Sequence, residues 1–531
     1  MDEKAKNAIL EGRAILGIEF GSTRIKGVLI DETHRPIAMG MHDWENRLID
    51  GVWTYTLDDI WSGLQDTYRS LSEDVHRQYG IRIERLGGLG FSAMMHGYLA
   101  FDKDGELLVP FRTWRNTMTK EAVKKLSPLF GFNIPQRWSI AHLYQAMLNK
   151  EEHVGRIDYL TTLDGFIHWK LSGNRTLGIG EASGMFPIDT KRLDYDSEMV
   201  RIFDDLILEE GYEFKLKSIL PKALPAGERA GVLTDEGALL LDPSGTLKPG
   251  CPMAPSEGDA GTGMVATNSV KVRTGNVSAG TSIFSMVVLE KPLANYHEEL
   301  DIVTTPDGHD VAMVHCNNCT SDLNAWISLF KQYSKLMGYK VDQDELYGQL
   351  YREALNGDKD CGGVLSYNFY SGEPVAGVKE GRPMMIRKLD SNFTLSNFMR
   401  TNLYSALACL KIGNDILAKQ ETVSIDRLMG HGGLFKTPFV GQSLLAAALN
   451  APVSVMDTAS EGGPWGMAVL TAYMLEKKEN ESLPDYLDHT IFAGCSAVTV
   501  SPDPDDVKGF DAYIKRYKEA LSMQEEAAKV F

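Results

Sequence analysis

Two short turns, Gly21-Ser22-Thr23 and Gly280-Thr281-Ser282, each sit between apolar runs that read as strands. A turn of this kind can aim backbone N–H groups and two hydroxyls at one phosphate, and glycine lets the backbone come close to it. Taken singly, each is as readily a plain hairpin turn. Two of them, half a chain apart, with Lys26 following the first, point to a nucleotide whose phosphates touch both halves. No GxxxxGK[ST] occurs, which excludes a Walker-type P-loop, and no GxGxxG opens a helix after a strand, which leaves a dinucleotide fold without support.

Glu257-Gly-Asp259-Ala-Gly-Thr-Gly263 sets a carboxylate in a glycine-rich stretch. A phosphoryl acceptor hydroxyl needs a carboxylate to orient it and take its proton. Asp is also a favoured helix N-cap, and the local residues favour that reading. Gly430-His-Gly-Gly-Leu-Phe-Lys436 reads as a tight turn ahead of a helix around 444–448, with bare backbone against which a flat base could slide. Ser460-Glu-Gly-Gly-Pro-Trp-Gly466 repeats the pattern before a helix over 467–475. Met94-Met-His-Gly97 follows a strand over 86–91, and Trp114-Arg-Asn116 offers an indole that is either core or a sugar platform. Cys316-Asn-Asn-Cys319 is the one CxxC; with no second pair to complete a zinc site it reads as two small residues ending a buried strand.

The elements that must hold these residues alternate between strand and helix, which argues an α/β fold. Apolar runs over 15–20 and 25–30 read as two strands around the first turn, and Ile60, Leu64, Tyr68 and Leu71 give a helix over 58–78. Leu403, Leu407, Leu410 and Leu417 form another helical stripe. The stretch 241–255 is rich in proline and glycine, so a domain boundary is expected near residue 270. The expected domains are 1–270, 271–495 and a helical tail over 496–531. The pattern of strand, Gly-hydroxyl-hydroxyl turn and strand recurs in both halves, which predicts two related domains. The 531 residues are 43% hydrophobic and 24% charged, ordinary globular values. The net charge of −18 disfavours a general nucleic-acid partner. No apolar run reaches the roughly 18 residues of a membrane span. Six cysteines and a polar, mixed-charge N-terminus make a reduced, cytoplasmic protein the expectation.

In this order, the motifs resemble those of the FGGY carbohydrate kinases, from about Ile15 to Ala493. The segment Leu220 to Thr234, Asp158-Tyr-Leu160 through Glu181-Ala-Ser-Gly184, and Tyr370-Ser-Gly-Glu373 carry the resemblance beyond the loops. It implies two actin-like, ribonuclease-H-like domains flanking a catalytic cleft, and phosphorylation of a sugar or polyol with ATP and Mg²⁺. By position it implies Asp259 as catalytic base, also touching substrate. Gly21, Ser22, Thr23 and Lys26 match the first phosphate loop, and Gly280, Thr281 and Ser282 the second. Gly432, Gly433 and Leu434 match the adenosine turn; Met95, His96, Gly97 and Trp114 match the sugar pocket.

Where the family has Asp before the first loop this chain has Glu19, expected to hold Mg²⁺ through water. Ala260 follows the base, and Trp-Asn-Asp becomes Trp114-Arg115-Asn116. The expected substrate is a ketopentose, ribulose or xylulose ahead of other sugars, with a homodimer left open. Two other classes remain: an ATPase of the same fold that acts on a partner, and a non-catalytic sugar sensor.

Overall fold

A computed structural model of the chain describes residues 3–456 and 462–530, so Ser460 and Glu461 of the second glycine-rich turn lie outside the described residues. The chain forms two compact units: Met1–Val270, Ile302–Val311 and Ala459–Gly494 make the first, and Lys271–Asp301, Ala312–Thr458 and Cys495–Phe531 the second. The chain therefore crosses the division expected from sequence, and the first unit takes back two later segments.

In the first unit, β1 (Ile15–Phe20), β2 (Arg24–Ile30), β3 (Pro36–Asp43) and β4 (Gly88–Ala93) form the centre of a sheet in the order β4-β1-β2-β3. β1 and β2 pair antiparallel around the first turn, and β1 and β4 pair parallel. β4 starts two residues later than the apolar run because its first pair is Ile15 with Gly88, while Gly87 bonds to Ala14 in the preceding loop.

Helices cover both faces of this sheet. α1 (Leu57–Tyr79) is fixed at its start by a Thr56–Asp59 capping box and at its end by Gly80 in the left-handed region. Its stripe Ile60, Leu64, Tyr68, Leu71 and Val75 is buried in one core with Leu16, Ile18, Phe20, Ile25 and Leu29. α2 (Asp259–Ala266) follows the short strand Glu257–Gly258, which adds to β4 in parallel. α3 (Gly463–Glu476) covers the opposite face, where Ala468 and Ala472 cluster with Ile15, Val28 and Ile30. Gly17 admits this helix: a Cβ there would meet the Pro464 carbonyl at 2.1 Å.

Six strands of the second unit's main sheet are β5 (Thr274–Ala279), β6 (Ile283–Val288), β7 (Asp310–Cys316), β8 (Arg427–Gly432), β9 (Val453–Met456) and β10 (Ala497–Val500). Their order is β7-β6-β5-β8-β9-β10. The run β8-β5-β6-β7 repeats β4-β1-β2-β3, with the second turn between β5 and β6. The helical stripe after residue 400 extends to Leu395–Lys419. The expected helical tail over 496–531 holds two helices, Pro504–Glu519 and Ser522–Val530, after a short strand, and it packs into the second unit. β10 pairs with β9, and Tyr513 and Tyr517 are fully buried, with the Tyr513 hydroxyl donating to the Ser366 carbonyl at 3.0 Å.

Candidate active site

Strand alternation places the first group of residues. On β1, Leu16, Ile18 and Phe20 face α1, so Ile15, Gly17 and Glu19 face α3. Lys26 lies directly opposite Glu19 on β2. The Glu19 carboxylate rests against the first turn of α3, where a Cβ on Gly463 would lie 1.4 Å from its Oε2. Loss of water and the nearby charge of Asp259 push the Glu19 carboxyl up to about 7, against the pull of Lys26. A carboxylate so short of counter-charge, beside a phosphate-type loop, fits Mg²⁺, which takes hard oxygen ligands and is commonly held by one or two carboxylates plus substrate phosphates. Among the described residues no group of three or more His, Cys, Asp or Glu makes an all-protein metal cage.

The two glycine-hydroxyl turns are held alike. Trp44 Nε1 donates to the Gly21 carbonyl at 2.7 Å and the Tyr55 hydroxyl donates to the Ser22 carbonyl at 2.6 Å. Trp44 and Tyr55 stack with centroids 3.9 Å apart. Each planar trans peptide sets its N–H opposite its carbonyl, so the N–H groups of Ser22 and Thr23 point away from this aromatic support. In the second unit, Thr320 donates its N–H (3.2 Å) and its hydroxyl (2.7 Å) to the Gly280 carbonyl, and Cys319 N–H donates to the Thr281 carbonyl at 2.9 Å. The N–H groups of Thr281 and Ser282 are turned outward in the same way. Cys316 ends β7 and both thiols of the CxxC are buried, with burial pushing Cys319 up to about 12.

Glu19, Ser92 and Glu257 are in register across three parallel strands, so Gly21, Met95 and Asp259 emerge at one end of the sheet. Ligands bind at such carboxyl ends in α/β sheets. Asp259 is not the N-cap of α2. Gly258 takes that place and Asp259 is the first helical residue. Its Oδ1 instead accepts the backbone N–H of Met95 at 3.3 Å. The residue keeps an open face to water, while the surrounding protein pushes its carboxyl up to about 6 against the N–H groups of Met95 and Ala260.

The next residue, His96, has φ 72° and donates its N–H to Glu181 Oε1 at 3.0 Å. Its Nδ1 lies 3.0 Å from the Gly184 carbonyl and so carries a proton there. Gly97, at φ 106°, closes against Phe111.

Beneath Asp259 lie carboxyls that the motif reading missed. Asp164, Glu181 and Glu257 are 0%, 0% and 1% exposed. Glu257 accepts the N–H groups of Gly180 (3.2 Å) and Glu181 (3.0 Å), at the start of a short helix. Burial pushes Asp164 up to about 7 and Glu257 up to about 8, and holds Glu181 well above the usual range. Glu181 was visible only as part of a family pattern, and Glu257 only as a neighbour of Asp259.

The Tyr98–Arg112 backbone bridge brings the Trp114 segment beside Met95–Gly97. Trp114 is 39% exposed, as a platform would be. Asn116 is turned inward: Oδ1 accepts Trp53 N–H at 2.9 Å and Nδ2 donates to the carbonyls of Trp53 and Thr113. It therefore pins the loop. Arg115 stacks its guanidinium on Trp53, 3.6 Å from the ring centre.

In the second unit, β8 ends at Gly432 beside Ala279, the residue before the second turn. A Cβ at Gly432 would meet the Ala279 carbonyl at 2.3 Å, and its φ of 102° suits glycine. Gly433 opens a 3₁₀ turn, and Leu434 is buried, so bare backbone at the two glycines is what faces out.

The FGGY family of carbohydrate kinases matches over almost the whole chain, its N-terminal domain over residues 14–265 and its C-terminal domain over 275–475. The chain belongs to this family. It is therefore a carbohydrate kinase of the two-domain actin-like fold, and ATP use is general to such kinases. The chain is 22% identical over 524 residues to a xylulose kinase of Haemophilus influenzae, covering 96% of this chain and 99% of that one. A solved xylulose kinase from Lactobacillus acidophilus superposes with a TM-score of 0.77 at 17% identity, covering 97% of this FGGY kinase and 99% of that chain. A gluconate kinase from Lactobacillus acidophilus gives the same TM-score, identity and coverage. No helix among the described residues is long and apolar enough to cross a membrane.

Proposed function

We propose that this FGGY kinase transfers the γ-phosphoryl group of ATP to a terminal hydroxyl of a ketopentose, ribulose or xylulose ahead of other sugars. The observation that carries the reading is Asp259: a carboxylate at the carboxyl end of parallel strands, oriented by Met95 N–H, with a pKa of about 6. A base so placed is ionised near neutral pH yet basic enough to take a hydroxyl proton as the bond forms. The sugar oxygen attacks the γ-phosphorus in line, its proton passes to an Asp259 oxygen, and the bond to the β,γ-bridging oxygen breaks to release ADP. The outward N–H groups of Ser22 and Thr23, with Lys26, bind phosphate oxygens, and those of Thr281 and Ser282 do the same from the second unit. Gly432 and Gly433 offer flat backbone to the adenosine. Met95, His96, Gly97 and Trp114 orient the sugar. Glu19 would help hold Mg²⁺, which would offset charge on the ATP phosphates.

The test is ADP release with Mg²⁺-ATP against ketopentoses, ketohexoses, polyols and gluconate, beside a control without sugar. Turnover with a ketopentose alone is expected. Turnover with gluconate alone would move the substrate class, and equal turnover in the control would favour the ATPase reading.

A further inference from the structure

Beside the base, Glu181 is one of the buried acids that the mechanism leaves unused. It sits on the short helix Ile179–Ala182 and is fully buried. One oxygen accepts His96 N–H, while Oε2 makes no hydrogen bond among the described residues. A Cβ on Gly258 would lie 2.4 Å from that Oε2, so the carboxyl is wedged against the residue that precedes Asp259. The groups that face it are Asp164, Glu257, Asp259 and the His96 N–H, with Tyr195 beyond. None brings a positive charge. Carboxyls packed together without a cation cannot all be ionised, and the one with the fewest donors is the last to give up its proton. Glu257 has two N–H donors, Asp164 has the Thr162 hydroxyl and the Gly165 backbone, and Asp259 has an open face to water; Glu181 has one donor and neither water nor counter-ion.

We propose that Glu181 is a positioning residue that works as a neutral carboxylic acid, fixing the Met95–His96 turn so that Met95 N–H meets Asp259. The turn needs such a hold. His96 is a non-glycine residue at positive φ, a strained conformation that persists only where surrounding bonds over-determine it. Two consecutive backbone N–H groups thus serve two carboxyls: Met95 N–H holds the base and His96 N–H is held by Glu181. Because Glu181 is neutral, it orients Asp259 without adding a negative charge of its own.

This inference rests on the proposed role of Asp259, but it can be tested apart from it. Glu181→Gln keeps shape and neutrality and is expected to turn over within about twofold of the unchanged kinase. Glu181→Ala frees the turn and is expected to lose on the order of 10²-fold in kcat, the cost of a misplaced catalytic group, with KM for ATP unchanged. If Glu181→Gln is as damaged as Glu181→Ala, an ionised carboxylate is required and the proposal fails. If Glu181→Ala turns over normally, the positioning role fails. The second measurement needs no substrate. The infrared difference between the unchanged protein and Glu181→Gln, at neutral pH, should contain one protonated-carboxyl carbonyl band. A difference showing only a carboxylate band would overturn the neutral state, even if Glu181→Ala does not fold or no sugar is turned over.

Discussion

Oε2 of Glu19 occupies the space that a side chain at position 463 would fill, 1.4 Å from where its Cβ would stand. The carboxylate is therefore held by the first turn of a helix that starts far along the chain, and the residue at 463 governs its aim. Gly463→Ala is expected to push Glu19 aside and to raise the Mg²⁺ concentration for half-maximal activity severalfold, in the same direction as Glu19→Ala. An unchanged Mg²⁺ titration in both variants would remove Glu19 from the metal's surroundings.

Asp259→Asn keeps the shape of the side chain and removes its basicity. Turnover is expected to fall by on the order of 10²-fold or more while ATP still binds. Near-normal turnover, with ATP affinity measured by calorimetry, would sink the base assignment.

The pH dependence follows from the same residue. The Asp259 carboxyl is raised to about 6, so its base form is present above that pH and is lost below it. The rate constant kcat/KM is expected to fall as pH drops through about 6 and to level off above. A limb near the ordinary Asp value of about 4 would mean that the surrounding protein does not raise the group.

Stability should run the other way. Asp164 and Glu257 are raised to about 7 and about 8 in the folded chain, above the ordinary values near 4 that they regain on unfolding. The folded state binds more protons across that interval, so their stabilising contribution is complete at the acid end and is lost as pH rises toward about 8. Denaturant midpoints measured across this range should decline with pH. A flat profile would mean that these carboxyls are ionised at little cost.

Tyr55→Phe removes the hydroxyl that holds the Ser22 carbonyl inward. One neutral hydrogen bond is worth about 1 kcal/mol, so ATP affinity is expected to weaken about fivefold, with the sugar KM unchanged. An unaltered ATP affinity would mean that the Trp44 bond at Gly21 orients the loop alone.

Much of this was legible in the residues. The apolar runs around Gly21 and Gly280 gave the two hairpins, because strand alternation and a glycine turn are local signals. Asp259 could be found by its glycine-rich setting, but not its true place. Gly258 takes the cap, and the carboxylate bonds instead to Met95, 164 residues away in sequence. Glu181 and Glu257 stood in quoted motifs, but their role was not legible because it lies in having no cation near them, which only packing reveals. Asn116 looked like a functional departure, yet its amide is spent on Trp53. The return of segments after residue 300 to the first unit was not legible, since no local pattern records which sheet a distant helix will cover.

That return has a consequence for how the chain is made. A ribosome that has released only the first 270 residues has produced a sheet lacking the helix that covers one face. Ile15, Val28 and Ile30 must wait for Ala468 and Ala472, which are made long after them. Domains commonly fold as they emerge, but this one stays open until most of the chain exists. Its nascent form presents an oily surface for much of translation, so the demand for chaperones should fall on the first half of the sequence even though the missing piece lies in the second.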